Sequence, residues 1–205
     1  CAKDGTNIEG NYFRPEYWYE YMSDTSEPLP GVPGLVMAAK YGNEELVDQF
    51  LTLQADPNVK DFLDETPLVK AIERGNASIV SSLVSHGADV NAAALYGTPA
   101  LIEATDNGDE EIVNILLDSN ADVNSQNSDG HTALIRAAIF GHTRIAKTLL
   151  DFGADFTHEG YYWGKTALNQ AARYGFDAIV DELLKRGADV NYKNKNNALY
   201  NAAQE

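Results

Sequence analysis

Five segments of the chain share one hydrophobic pattern, with apolar residues at positions i, i+1, i+4 and i+5. They are LVDQFL from Leu46, IVSSLV from Ile79, IVNILL from Ile112, IAKTLL from Ile145 and IVDELL from Ile179. This spacing places a wide apolar stripe along one side of an α-helix. One such helix cannot cover its own stripe, and the pattern therefore predicts helices that stack on each other.

A shorter apolar segment precedes each of these helices and ends at a glycine. The segments begin at Pro33, at TPL from Thr66, at PAL from Pro99 and at TAL from Thr132 and Thr166, and their glycines are Gly42, Gly75, Gly108, Gly141 and Gly175. Threonine is a favourable N-cap, and Pro67 suits the first helical position. Glycine accepts the left-handed conformation that ends many helices. Each copy is therefore predicted to contain a short helix, a glycine turn and a longer helix.

The copies repeat with a nearly constant period. Ala-Asp pairs begin at Ala55, Ala88, Ala121, Ala154 and Ala188, in steps of 33, 33, 33 and 34 residues. A fixed period in this range indicates a stack of repeats with one continuous core. That core is predicted to contain Leu68, Leu101, Leu134 and Leu168, with the small residues Ala71, Ala104, Ala137 and Ala171 between facing helices.

This chain resembles the ankyrin repeat family in four features. They are a finger, which is the short loop before each TPL-like segment, together with that segment; the glycine turn; the IV-x-x-LL helix; and the ADVN loop. The resemblance runs from about Gly31 to Asn191 and implies an all-α ankyrin solenoid with short β-hairpin fingers. The expected repeats lie near 31–63, 64–96, 97–129, 130–163 and 164–196, with a partial repeat at 197–205. Gln54 and Asn120 depart from the family by replacing the glycine before Ala-Asp.

Residues 1–30 precede the repeats and are rich in aromatic side chains, as in YFRPEYWYEYM from Tyr12 to Met22. The exposed end of a repeat stack needs a cover. We expect this extension to cap the first repeat, and the alternative is that it contributes to a partner site.

Composition bounds the partners. The chain is 44% hydrophobic and 10% aromatic, which argues for a folded protein, and its formal net charge is −16. Such a charge repels phosphate backbones and anionic lipid headgroups, and it attracts basic proteins. We therefore expect a protein partner with a basic surface and no nucleic acid, with the protein monomeric when alone.

Cys1 is the only cysteine, so that no internal disulfide or thiolate metal site is expected. A bacterial lipoprotein matures by cleavage just before a cysteine, and the polar stretch CAKDGTNIEGN resembles a tether. On this interpretation Cys1 carries lipid and the protein lies in the periplasm. The alternative is a trimmed sequence of a cytoplasmic protein.

The sequence contains no nucleophile elbow, phosphate-binding glycine loop or HExxH motif. His86, His131, His142 and His158 fall in different repeats, without the spacing of metal ligands. We therefore predict no catalytic residue, no metal site, no cofactor and no small-molecule substrate.

By resemblance to ankyrin proteins, binding is expected on the concave face, which the finger tips and the exposed ends of the first helices form. The residues at these positions are Tyr41, Phe62, Glu65, Glu73, Arg74, Tyr96, Asp106, Asp129, Phe140, Tyr162, Trp163 and Tyr174. Aromatic residues dominate interface hot spots, and the four carboxylates are expected to pair with Lys or Arg of a partner. The alternative is that the aromatic residues stack on each other between repeats.

The sequence thus predicts a non-catalytic module that binds a protein. A specific version is a periplasmic immunity protein that inhibits a secreted toxic effector, such as a type VI phospholipase. The alternative is a scaffold, cytosolic or injected into a host, that bridges two proteins.

Overall fold

The computed structural model describes residues 32–94, 97–161 and 166–191. The described residues form ten α-helices and fall into two compact units, which divide between Leu95 and Tyr96. The predicted extension at 1–30 and the partial repeat at 197–205 lie outside the described residues. The repeat boundaries proposed from the sequence stay predictions.

The first unit contains two helix pairs. Its helices are α1 (Gly34–Tyr41), α2 (Glu44–Thr52), α3 (Pro67–Glu73) and α4 (Ala77–Ser85). Helix α1 packs against α3, α2 packs against α4, and each helix also packs against the other member of its pair. We call α1 and α3 the inner helices and α2 and α4 the outer helices of this unit.

The second unit repeats this arrangement with three helix pairs. Its helices are α5 (Ala100–Asn107), α6 (Glu110–Asp118), α7 (Ala133–Phe140), α8 (Thr143–Asp151), α9 (Ala167–Tyr174) and α10 (Asp177–Lys185). Helix α7 packs between α5 and α9, and α8 packs against α6 and α10. The inner helices are α5, α7 and α9, and the outer helices are α6, α8 and α10.

The predicted helix starts are confirmed. The hydroxyls of Thr66, Thr132 and Thr166 accept hydrogen bonds from backbone N–H groups three residues further on, at 3.2–3.4 Å. These caps satisfy N–H groups that have no partner inside the helix. Pro67 occupies the first turn of α3, as predicted.

The left-handed turns are also confirmed. All five turn glycines have φ between 67° and 76°. Gln54 and Asn120, the replacements for glycine before Ala-Asp, adopt φ values of 62° and 66°. Because a Cβ makes this conformation costly, each of the two replacements carries backbone strain.

The predicted core is buried. Leu68, Leu101 and Leu134 are almost fully buried, Leu168 is 9% exposed, and the four predicted alanines have no exposed surface. Alanine at these positions lets neighbouring inner helices approach closely, while leucine fills the space beside it. The stripes of the outer helices are buried in the same way, through side chains such as Ile112 and Leu116.

The loops between pairs are held by a repeated hydrogen-bond pattern. The Asp56 carboxylate accepts from the N–H of Asn58 at 2.8 Å, and Asp89, Asp122, Asp155 and Asp189 do the same two residues on. The Asn58 side chain then accepts from the N–H of Asp89 in the next loop at 2.7 Å. Asn124 and Asp155 repeat this link at 2.8 Å. These two links join the loops at Asp56 and Asp89 in the first unit and the loops at Asp122 and Asp155 in the second.

A short turn, which we call a finger, precedes the inner helices α3 and α7. In the second unit, Gln126 and Thr132 form one antiparallel bridge, and the N–H of Asn127 donates to the carbonyl of His131. In the first unit, the N–H of Asp61 donates to the carbonyl of Glu65 at 3.0 Å. These are tight turns rather than extended hairpins within the described residues.

The turns of adjacent pairs pack directly on each other in the second unit. A Cβ at Gly108 would lie 2.9 Å from the His142 ring, and a Cβ at Gly141 would overlap the Phe176 ring. No Cβ meets such close neighbours in ordinary packing, and only glycine fits under these rings.

None of the described helices combines the length and the apolar character that a membrane span requires.

The turn contact predicts unequal costs for two substitutions. Gly153→Ala adds a Cβ at φ 86° with no atom within 4 Å, and it should lower the free energy of unfolding by about 1 kcal/mol through strain alone. Gly141→Ala adds the same strain and displaces Phe176, so that a loss of about 2–4 kcal/mol is expected. Urea unfolding of both variants measures the difference, and equal losses would show that Phe176 does not pack on this turn.

Candidate protein-binding surface

Three inner helices end in an exposed aromatic residue. Tyr41, Phe140 and Tyr174 are the last residues of α1, α7 and α9, and 43%, 45% and 49% of their surfaces are exposed. Each precedes a turn glycine, where the chain reverses and leaves the ring without a following helical turn. Aromatic side chains that are exposed at equivalent positions of a repeat are typical of interaction surfaces.

A cation lies close to each of these rings. The distance from the cation to the ring centroid is 5.9 Å for Lys40 and Tyr41, and 5.6 Å for Arg173 and Tyr174. The Arg136 guanidinium lies 4.8 Å from the centroid of Phe140. A cation over a ring face gains attraction from the ring quadrupole and holds the ring in place.

The first unit also exposes an apolar finger tip. Phe62 is 64% exposed and Leu63 is 46% exposed. The Asp61 carboxylate accepts hydrogen bonds from the N–H groups of Leu63 and Glu65 at 2.8 and 3.0 Å, which fixes the turn. Asp64 takes a left-handed φ of 61°, where the equivalent finger of the second unit has Gly130. The hydrogen-bonded turn thus presents two apolar side chains to solvent.

The expectation that Glu65 is available to a partner is wrong. Glu65 is 2% exposed, and its carboxylate pairs with the ammonium group of Lys70 on α3. Lys70 also binds Glu73 at 3.1 Å. The finger bends back over the inner helix at this point, so that the pair lies inside the unit. Glu73 remains partly exposed beside Arg74, which is exposed.

Asp106 is likewise engaged inside its unit. Both of its oxygens accept from the Arg136 guanidinium, from Nε and from Nη2, at 2.7 Å each. This bidentate pair joins α5 to α7 and is about three quarters buried. A partner would therefore meet Asp106 already neutralised. Asp129, the fourth predicted carboxylate, is exposed at its finger tip.

Four predicted positions fall outside the described residues. They are Tyr96, Tyr162, Trp163 and the lipidation site Cys1. Their roles stay predictions from the sequence. Tyr161 is 67% exposed, and one edge of its ring lies against Gly130.

Sequence reasoning missed a polar position that recurs on the inner helices. Lys70, Glu103, Arg136 and Gln170 stand at equivalent positions, 33, 33 and 34 residues apart. Lys70 and Gln170 are buried, while Glu103 and Arg136 are half-buried. The signal in the sequence was a polar residue four positions after the start of each TPL, PAL or TAL segment. It recurs in four repeats, within an otherwise apolar segment. Such residues must find partners inside the fold.

The Lys70 pair shows how that requirement is met. Burial by itself would lower the pKa of Lys70, but hydrogen bonds to Glu65 and Glu73, together with their charges, raise it above its ordinary value. The ammonium group is therefore held in its charged form.

No cluster of His, Cys, Asp and Glu suited to a metal ion occurs among the described residues.

The buried pair predicts a large effect when one partner is removed. Lys70→Met leaves the Glu65 carboxylate buried without its cation, and the free energy of unfolding should fall by about 3–5 kcal/mol. The double variant Glu65→Gln/Lys70→Met removes both charges and should be about 2 kcal/mol more stable than Lys70→Met. Urea unfolding tests this order. A double variant no more stable than Lys70→Met would mean that Glu65 is not buried with Lys70.

The raised pKa of Lys70 also predicts a pH dependence. A group whose folded-state pKa is raised contributes its full stabilisation below its unfolded pKa, about 10.4 for lysine, and loses it as the pH rises through the folded value. The difference in unfolding free energy between wild type and Lys70→Met should therefore stay constant at neutral pH and shrink only above about pH 10.4. A difference that already shrinks between about pH 7 and 9 would contradict a raised pKa.

Comparison with known protein families agrees with this architecture. A family model described as "Ankyrin repeats (3 copies)" matches residues 35–127 and 119–194. The two matches together include every described helix except the first residue of α1. A search of curated proteins gave no match. Because the family model covers most of the chain, the protein belongs to the ankyrin repeat family.

Proposed function

We propose that this protein binds a partner protein through the exposed residues of its inner helices and fingers, which correspond to the concave face expected from the sequence. Ankyrin repeats generally mediate protein–protein interaction and are typically non-catalytic modules. The observation that carries the proposal is the recurrence of an exposed aromatic ring beside a cation at the same position of α1, α7 and α9.

The exposure of the rings argues against the alternative that they only stabilise the stack. The described ring contacts of Phe140 and Tyr174 are with His142 and Phe176, at 5.8 and 6.4 Å, and each lies two residues further along the same helix pair. These contacts leave nearly half of each ring exposed. A residue whose role was stacking between repeats would be buried more deeply, as Phe176 is over Gly141.

The partner's identity is proposed at a finer level. We predict a periplasmic immunity protein that inhibits a secreted toxic effector, such as a type VI phospholipase, with a scaffold that bridges two proteins as the alternative. Both versions use the same surface, and they differ in what happens to the partner. An inhibitor abolishes the activity of the partner in a purified mixture, and a scaffold leaves it unchanged.

The proposal predicts that binding depends on the paired aromatic residues of the second unit. Phe140→Ala/Tyr174→Ala removes two rings that are 45% and 49% exposed, so that the thermal melt should move little. The affinity for the partner should fall at least about 30-fold, because interface hot spots contribute about 2 kcal/mol or more each. Pull-down from lysate of the source organism, read by mass spectrometry and followed by titration, measures this.

Phe152→Ala is the matched control. Phe152 is 44% exposed at the end of α8, an outer helix, so that its removal deletes the same ring at the same exposure. The control should keep the partner. A partner that is retained by the double variant and lost by Phe152→Ala would move the site to the outer helices and end the proposal.

A further inference from the structure

The charges of the second unit are divided between its two rows of helices. The outer helices α6, α8 and α10 contain seven carboxylates and three cations, whereas the inner helices α5, α7 and α9 contain two of each. The strong acidity of the chain therefore does not extend to the inner helices of this unit. A basic partner would be drawn to the outer row, away from the exposed aromatic residues.

We infer that Phe140, Arg173 and Tyr174, which we call the α7–α9 platform, bind a peptide segment in which carboxylates flank apolar side chains. This inference rests on the proposed function and gives the chemistry of its partner. It reverses, for this surface, the sign of charge that the composition alone predicts.

The first support is the state of the charges around the platform. Asp106 is the carboxylate paired with Arg136, whose guanidinium lies over Phe140, so that these two charges compensate each other. Arg173 is exposed and forms no ion pair among the described residues. Asp177, four residues further on, lies in the first turn of α10, where the helix dipole stabilises a carboxylate. Arg173 is therefore the charged side chain of the platform, and it forms no ion pair among the described residues.

The second support is the position of that charge. The guanidinium of Arg173 lies 5.6 Å from the Tyr174 ring, and Tyr174 occupies the same repeat position as Phe140 on the adjacent helix. Packed helices are about 8–10 Å apart, so that neighbouring side chains of one peptide span the two rings. A carboxylate beside an apolar side chain would then meet Arg173 while its neighbour covers a ring, and the planar guanidinium suits a carboxylate with two hydrogen bonds.

Other anionic partners fit less well. A nucleic acid carries a phosphate at every nucleotide, and the seven carboxylates of the outer row would repel such a chain along its length. A peptide with a few carboxylates at matching positions meets much less repulsion. An acidic peptide segment is thus the anion that this surface tolerates.

The probe is a library of short random peptides displayed on phage and selected on the full chain. Peptides that need the platform are identified by their loss on Phe140→Ser/Tyr174→Ser. The inference expects these peptides to be enriched in Asp and Glu beside aromatic or aliphatic residues. Their affinity should fall roughly fivefold or more with Arg173→Glu, and the loss should shrink as salt is added.

Lys147→Glu on α8 is the matched control, because it makes the same change in net charge at an exposed position of an outer helix. It should change the affinity less than about twofold. Platform-dependent peptides that are rich in Lys and Arg, or that respond equally to both charge reversals, would overturn the inference and leave the proposed function standing. If no selected peptide depends on Phe140 and Tyr174, both fail.

Discussion

None of the five described helix pairs has a core of its own, and the other features of the structure depend on that constraint. Each outer helix has a wide apolar stripe, and each inner helix has an apolar side with a fully buried alanine. Only a second pair at close distance covers these surfaces. The alanines Ala71, Ala104, Ala137 and Ala171 permit that distance, since a larger side chain would separate the inner helices. The period of 33 or 34 residues preserves this spacing within each unit.

The same constraint determines where side chains remain available for binding. Stacking buries the apolar sides of the helices. Loops are held by hydrogen bonds from the N–H groups of Asp89 and Asp155 to Asn side chains of the preceding loop. Among the described residues, what stays exposed is the last residue of each inner helix, the tips of the fingers before α3 and α7, and the outward side of each outer helix. The exposed aromatic rings at the ends of α7 and α9 lie beside cations, while most helical carboxylates of the second unit lie on its outer helices. The aromatic rings and the acidic residues of this unit are thereby separated.

The period of the repeats and the register of their motifs predicted most of the fold. They placed the threonine caps, the left-handed glycines and the buried leucines correctly, because each depends on local geometry that recurs in every copy. They also placed Tyr41, Phe140 and Tyr174 at exposed helix ends. The exposure of Glu65 was wrong, because register gives the position of a residue in the repeat and not the direction in which a finger bends.

The placement of charge was the second feature that the sequence alone did not predict. Net charge gives the sign of the whole chain, and it predicted a basic partner for the aromatic surface. The structure shows that Glu65 and Asp106 are used inside their units, by Lys70 and Arg136. Glu65 and Lys70 lie five residues apart within one repeat, whereas Asp106 and Arg136 lie 30 residues apart in adjacent repeats. Composition contains neither pairing.

The central claim is that the inner helices, and not the acidic outer helices, meet the partner. Photocrosslinking tests it most directly, with a photoreactive phenylalanine analogue placed at Phe140 in one protein and at Phe152 in another. The two rings have nearly equal exposure, 45% and 44%, on opposite rows of the second unit. The account predicts a covalent adduct with the partner from position 140 and none from position 152. An adduct from position 152 alone would contradict it.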